Sequence, residues 1–155
     1  MDPTQDTHRE LAKQANSRAW LLLRKAERSP AEDAELVEAA YASLYHWRFA
    51  GTEVNRQRGL WLVAHVHTVL GDAAQAMKYA QACLELTNEY EDRMQDFDIA
   101  YAQEGISRAM ALAGDYDAAR DHMAMAQEAG DRILGPEDKS IFMGDFETGN
   151  WHGVK

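Results

Sequence analysis

The sequence has little cysteine and no long apolar run. Its 155 residues include one cysteine, Cys83, so a fold held by intramolecular disulfides is excluded. No apolar run approaches the roughly 20 residues needed to span a bilayer, and the N-terminal stretch lacks the charged-then-apolar pattern of a secretory signal. We therefore expect a soluble protein of a reducing, cytoplasmic compartment, with no membrane partner.

Positive charge is also scarce. Lys and Arg total 16 against 26 Asp and Glu, which gives a formal net charge of −10. A field of this sign repels phosphate backbones, so we expect no nucleic-acid partner. The hydrophobic fraction of 46% is ordinary for a globular domain and sufficient for a core.

Proline occurs only at Pro3, Pro30 and Pro136. Each of these residues stands at the start of a predicted helix, where the missing N–H does no harm. The stretches between them are rich in helix-forming residues and show no alternation of period two, so no strand is predicted. The sequence therefore predicts an all-α fold.

Helix boundaries follow from capping signals. Ser29-Pro30-Ala31-Glu32 has the pattern of a capping box, in which Ser29 caps and Glu32 reaches back. Gly71-Asp72 and Gly114-Asp115 each end one helix and cap the next. These signals predict six helices and a short seventh, at about 4–28, 30–49, 52–70, 73–90, 96–113, 116–129 and 136–146.

The tight turns recur about every 42 residues, which is typical of a helical solenoid. Segments 70–86 and 113–126, which read LGDAAQAMKYAQACLEL and AGDYDAARDHMAMA, resemble the second half of a tetratricopeptide repeat. Small residues occupy the positions where that family packs its helices closely: Ala76 with Cys83, and Ala119 with Ala126. The resemblance covers roughly residues 52–130, although the period exceeds the family's usual one of about 34 residues.

This resemblance implies a right-handed αα-superhelix of about three helical hairpins. Residues 1–135 would form the repeat domain, and residues 136–155 a C-terminal capping segment or tail of the same domain. The segment 43–48 with Asn55 and 58–61 is also similar to a group of bacterial tetratricopeptide-like proteins to which no activity is attached.

In tetratricopeptide arrays the first helix of each hairpin lines a concave groove. The resemblance therefore implies that helices 1, 3 and 5 present a candidate site, and the residues on each helix are three or four apart and share a face. These residues are Asn16 and Trp20 on helix 1, Arg58, Trp61 and His65 on helix 3, and Tyr101, Glu104 and Arg108 on helix 5.

Arginine and tryptophan are frequent anchors of binding sites, and an arginine pair can receive a carboxylate or phosphate. We therefore expect a non-catalytic scaffold for a protein or peptide partner, such as one with an acidic or carboxylate group. The same residues could instead be a packed polar face. Two further alternatives are a homo-oligomeric assembly module, such as a homodimer, and an anionic-ligand sensor or enzyme that uses Arg58, His65, Glu104 and Arg108.

The six histidines do not form a metal motif. His65 and His67 are two residues apart and point to different helix faces. The tetratricopeptide resemblance places His67 at a position usually filled by a buried aromatic residue, which implies a histidine packed in the core. A site made of His46, His65 and Glu104 across helices remains an alternative. Without a ligand pair on one helix we expect no metal, and without a glycine-rich phosphate loop, a serine elbow or a zinc signature we expect no cofactor and no catalytic residue.

The C-terminal segment is too apolar for a free tail, since it contains Ile141, Phe142, Phe146 and Trp151. We expect Phe142 and Phe146 to cover the open face of helices 5 and 6 within the same chain. The glycines around Trp151 suggest an extended end there. The alternative is that these residues pair two chains as a symmetric dimer.

Overall fold

The computed structural model describes residues 2–155, which form an all-helical structure without any strand. The all-α prediction is therefore confirmed. None of these helices is both long enough and apolar enough to cross a lipid bilayer. The helices are α1 (Gln5–Leu23), α2 (Pro30–Ala50), α3 (Glu53–Leu70), α4 (Ala73–Glu89), α5 (Asp96–Leu112), α6 (Tyr116–Asp131) and α7 (Pro136–Glu147), with a 3₁₀ turn (Glu91–Arg93) before α5.

The two Gly-Asp turns form as predicted. Gly71 and Gly114 have φ angles of 84° and 88°, a left-handed conformation that glycine adopts without a Cβ clash. The next residue, Asp72 or Asp115, caps the following helix by accepting a hydrogen bond of 3.2 Å from a backbone N–H in its first turn. Each turn therefore reverses the chain within two or three residues.

The turn between α1 and α2 is longer than predicted. The capping box is confirmed, because Ser29 Oγ accepts from Glu32 N at 3.1 Å and Glu32 Oε1 accepts from Ser29 N at 3.0 Å. However, α1 ends at Leu23 instead of residue 28. The Arg28 guanidinium donates to Leu22 O at 3.3 Å, which adds a side-chain donor to a carbonyl in the last turn of α1.

The helices pack as successive pairs. α1 lies against α2, α3 against α4 and α5 against α6, and α3 also packs directly on α5. One apolar cluster joins the first two pairs through residues such as Leu22, Leu36 and Val63, and a second joins α3, α4 and α5 around Leu60 and Ile106. The core is therefore continuous along the row of helices.

Close approach of the paired helices depends on small side chains. Ala76, Cys83, Ala119 and Ala126 are all buried, with at most 1% of their surface exposed. Across the α5–α6 contact, Ser107 Oγ donates a short hydrogen bond of 2.6 Å to Ala119 O. A larger side chain at position 119 would therefore push two backbones apart.

The C-terminal segment packs on its own chain. α7 lies against α5 and α6, and Phe142, Phe146 and Trp151 are buried in one cluster. Phe142 sits directly over Gly130, where an added Cβ would come within 2.4 Å of the ring. Trp151 is not at a free end, since only 5% of its surface is exposed. These three aromatic residues therefore pack within their own chain, as expected for Phe142 and Phe146.

Replacing Ala119 with Leu should destabilise the protein by about 1–3 kcal/mol, because the added methylenes overpack the α5–α6 contact. The matched control is Cys83→Ala, which removes little volume from a comparable buried site and should cost less. Urea unfolding of the three proteins measures both effects. An unfolding midpoint for Ala119→Leu equal to that of the wild type would show that this contact is not tightly packed.

Candidate functional site

A cavity of about 720 Å³ opens where α1, α3, α5 and α7 meet. We call this cavity the groove. It is lined by residues of all four helices, and six of the eight predicted site residues are among them. These six are Asn16, Trp20, Arg58, Trp61, His65 and Tyr101.

Three half-buried rings form a stack along one wall of the groove. Trp61 and His65 are one turn apart on α3, so their rings lie on one face with centroids 4.8 Å apart and planes at 10°. Trp20 comes from α1 and lies nearly parallel to Trp61, with centroids 6.0 Å apart and planes at 19°. The arrangement offers a flat, largely apolar surface on which a planar or aliphatic group can pack.

Gly105 makes room for this stack. An added Cβ on Gly105 would lie 3.0 Å from Trp61 Cδ1 and 3.2 Å from its indole nitrogen. The glycine within α5 therefore allows the Trp61 ring to lie directly on the α5 backbone.

The positive charge of Arg58 is partly neutralised by an ion pair with Asp98. Its Nε and Nη2 donate to the two carboxylate oxygens of Asp98 at 2.8 and 3.0 Å, and its guanidinium lies 5.1 Å from the centroid of the Phe97 ring. Asp98 is nearly inaccessible to solvent, whereas almost half of the Arg58 side-chain surface is exposed. One edge of the guanidinium is therefore fixed, and Nη1 has no hydrogen bond to any described residue.

Glu104 and Arg108 do not line the groove, which differs from the prediction. They form a buried ion pair within α5, with Arg108 Nε and Glu104 Oε2 2.7 Å apart. The second oxygen, Oε1, accepts from Trp61 Nε1 at 3.1 Å. Burial raises the pKa of Glu104, and the Arg108 charge and the Trp61 hydrogen bond oppose this increase. The pair therefore lies beneath the ring stack instead of facing a ligand.

The rest of the Arg108 guanidinium binds the C-terminal segment. Nη2 donates to Asp145 O at 2.8 Å and to Thr148 O at 3.0 Å, and Nη1 donates to Asn150 O at 3.1 Å. The Trp151 ring covers the guanidinium, with its centroid 4.0 Å away. These contacts tie Arg108 to backbone carbonyl groups at the end of α7 and just beyond it, so Arg108 has a structural role.

Several residues that line the groove were not predicted from the sequence. Asp98 lies in the first turn of α5 and accepts from Gln95 N at 3.1 Å, but nothing local in the sequence shows that it also holds Arg58. Ile141 and Asp145 belong to α7, and their place in the groove depends on how α7 docks. Tyr101 donates a hydrogen bond of 2.5 Å to Asp145 Oδ2. This bond joins α5 to α7 on the side of the groove that the two helices line.

His65 is neutral at physiological pH. Burial and, to a lesser extent, the positive charge of Arg108 lower the pKa of His65 to about 4. Within residues 2–155 its ring nitrogens make no hydrogen bond, so they are available to a ligand.

The other histidines lie apart from His65. His67 is buried, as predicted, and bonds to the Tyr41 hydroxyl at 2.9 Å. His46 is 2.8 Å from His8, between the two Nδ1 atoms, so it does not join His65 and Glu104 in a site. In the described part of the chain, no group of three or more metal-ligating side chains is found.

Lowering the pH should destabilise the protein partly through His65. The unfolded chain takes up a proton at the ordinary pKa of 6.5 whereas folded His65 titrates at about 4. The loss of stability therefore begins below pH 6.5 and is complete near pH 4, and between pH 7 and 5 it amounts to about 1–2 kcal/mol. Urea unfolding of wild type and His65→Gln should give pH profiles that converge on acidification.

An NMR titration of the His65 ring checks the same expectation directly. A midpoint near 4 agrees with the burial of the ring. A midpoint near 6.5, or parallel pH profiles for the two proteins, would contradict it.

Comparison of the chain with protein-family models, curated proteins and solved structures finds no match.

Proposed function

We propose that this chain is a non-catalytic binding protein that holds a short peptide segment in the groove. Its helical pairs would form a tetratricopeptide-like superhelix, with α1, α3 and α5 on the concave side. The support is the order of the pairs, the direct packing of α3 on α5 and the buried small residues at the pair contacts.

The observation that favours binding most strongly is the groove itself. Its volume of about 720 Å³ falls within the range of ligand pockets. Val69 and Ile141 stand on its lining with 44% and 55% of their surfaces exposed. Exposed apolar residues beside a wall of aromatic rings are typical of a surface that a partner covers.

The lining also indicates which peptide would fit. An apolar or aromatic side chain would pack on the stack of Trp20, Trp61 and His65. Arg24 and the free Nη1 of Arg58 could meet an acidic group of the partner. The ligand we propose is therefore a peptide with an apolar anchor beside an acidic group.

The enzyme alternative receives no comparable support. Both Glu104 oxygens are occupied, by Trp61 and Arg108, and Glu104 lies outside the groove. His65 has no carboxylate within hydrogen-bond distance among the described residues, so it lacks the oriented partner that a general base usually has. Assembly through the C-terminal aromatic residues is likewise less favoured, because these residues are buried in their own chain.

The test uses short random peptides displayed on phage, selected on the wild-type protein and then measured by fluorescence anisotropy. The double variant Val69→Gln/Ile141→Gln places two polar amides in the groove and should weaken binding by about tenfold or more, or roughly 1.4 kcal/mol. The control Leu21→Gln/Leu134→Gln makes the same kind of change at exposed residues outside the groove and should bind as the wild type does.

Failure to enrich any peptide would contradict the proposal. Equal losses of affinity in the two double variants would contradict it as well, because binding would then not depend on the groove.

A further inference from the structure

A second cavity, of about 400 Å³, lies between α1, α2 and α3 beside the groove. We call it the polar pocket. It shares Asn16 and Arg58 with the groove, so one ligand can occupy both. No Asp or Glu lines it, although the chain has 26 acidic residues. The lining of the polar pocket thus carries two cations, Lys13 and the Asp98-paired Arg58, and no carboxylate.

Each helix contributes hydrogen-bond donors from one face. α1 presents Lys13 and, three and four residues later, Asn16 and Ser17, so both neutral side chains lie close to Lys13 on the helix surface. Among the described residues, these three side chains make no hydrogen bond to the protein. Glu10 lies one turn before Lys13 but forms no ion pair with it. Two neutral donor groups and one cation are thus available on this side.

Ser43 on α2 contributes a buried hydroxyl group to the wall of the polar pocket. Its residue surface is 1% exposed, yet its hydroxyl makes no hydrogen bond with the part of the chain that the structure describes. Among residues 2–155, no fully enclosed side-chain oxygen or nitrogen lacks a hydrogen-bond partner, so the Ser43 hydroxyl keeps a narrow opening, and the polar pocket is the cavity that Ser43 lines. A buried hydroxyl of this kind is stabilised when a ligand or water completes its hydrogen bond.

α3 supplies the second cation in a fixed orientation. Asp98 holds Nε and Nη2 of Arg58 and leaves Nη1 uncommitted. Asn55 Oδ1 accepts from Thr52 N at 3.1 Å, so its amide NH₂ remains as a further donor. The close packing of Gly59 on Leu44, where an added Cβ would be 3.0 Å from Cδ1, sets the spacing of α2 and α3 around the pocket.

We propose that the polar pocket binds a phosphomonoester group of the ligand whose apolar part lies in the groove. This proposal rests on the groove being a ligand site. A phosphomonoester has three terminal oxygens and a charge near −2, which suit the Lys13 ammonium, the uncommitted Nη1 of Arg58 and the neutral donors arriving from three helices. A carboxylate has two oxygens in one plane and would leave several of these donors unused.

Isothermal titration calorimetry with phenyl phosphate, inorganic phosphate and benzoate tests the proposal. Phenyl phosphate should bind most tightly, because it occupies both cavities, and inorganic phosphate should bind more weakly. Benzoate should bind at least about tenfold more weakly than phenyl phosphate. Equal affinities for phenyl phosphate and benzoate would overturn the assignment of a phosphoryl group.

Two variants locate the site. Lys13→Glu and Ser43→Ala should each weaken phenyl phosphate binding by about tenfold, whereas the control Lys78→Glu, which makes the same charge change on α4, should not. Lys13 is exposed and Ser43→Ala is a small change, so circular dichroism should show that both variants remain folded. Unchanged phosphate binding in both variants would overturn the proposal.

The outcomes also separate this proposal from the proposed function. If the wild type binds its selected peptide but neither phosphate compound, the polar pocket proposal is wrong and the groove remains a binding site. The variant Trp20→Ala removes the groove side chain one turn after Asn16, which both cavities share, and should weaken phenyl phosphate binding but not inorganic phosphate binding. If this variant binds both phosphate compounds as the wild type does, the two cavities do not share a ligand, and the proposal of one ligand across both is overturned.

Discussion

The Glu104 carboxylate and the Arg108 guanidinium lie one turn apart in α5, and each has at most 6% of its side-chain surface exposed. Removing two charges from water costs several kcal/mol unless each charge is fully hydrogen-bonded. This requirement determines what must surround the pair. Glu104 takes a second donor from Trp61, and Arg108 takes backbone carbonyls from the C-terminal segment. The pair therefore stabilises the fold only when both neighbours are in place.

The same pair consequently positions two sides of the groove. On one side it fixes the indole of Trp61, on which the stack with Trp20 and His65 is built. On the other side it anchors the end of α7, and α7 contributes Ile141 and Asp145 to the groove wall. A substitution in the C-terminal segment would thus affect the position of the ring stack through Arg108 and Glu104.

What could be predicted from the sequence was the local part of the structure. The Gly71-Asp72 turn follows from a residue that tolerates positive φ and a neighbour that caps, both within two positions. For Glu104 and Arg108 the sequence showed a shared helix face, but which elements cover that face depends on the docking of α7, some 40 residues further along. The link between Arg58 and Asp98, from separate helices, was beyond sequence reasoning for the same reason, and so was the convergence of Lys13, Ser43 and Arg58 on one pocket.

A double-mutant cycle on Glu104→Gln and Arg108→Gln tests most directly whether this pair organises the structure. Each single change leaves a buried charge or donor without its partner and should lower the free energy of unfolding by about 3–5 kcal/mol. The double variant should lose clearly less than the two single losses together, with a coupling energy of about 1–3 kcal/mol. Additive losses in urea unfolding would mean that the two side chains act independently, and would contradict the account.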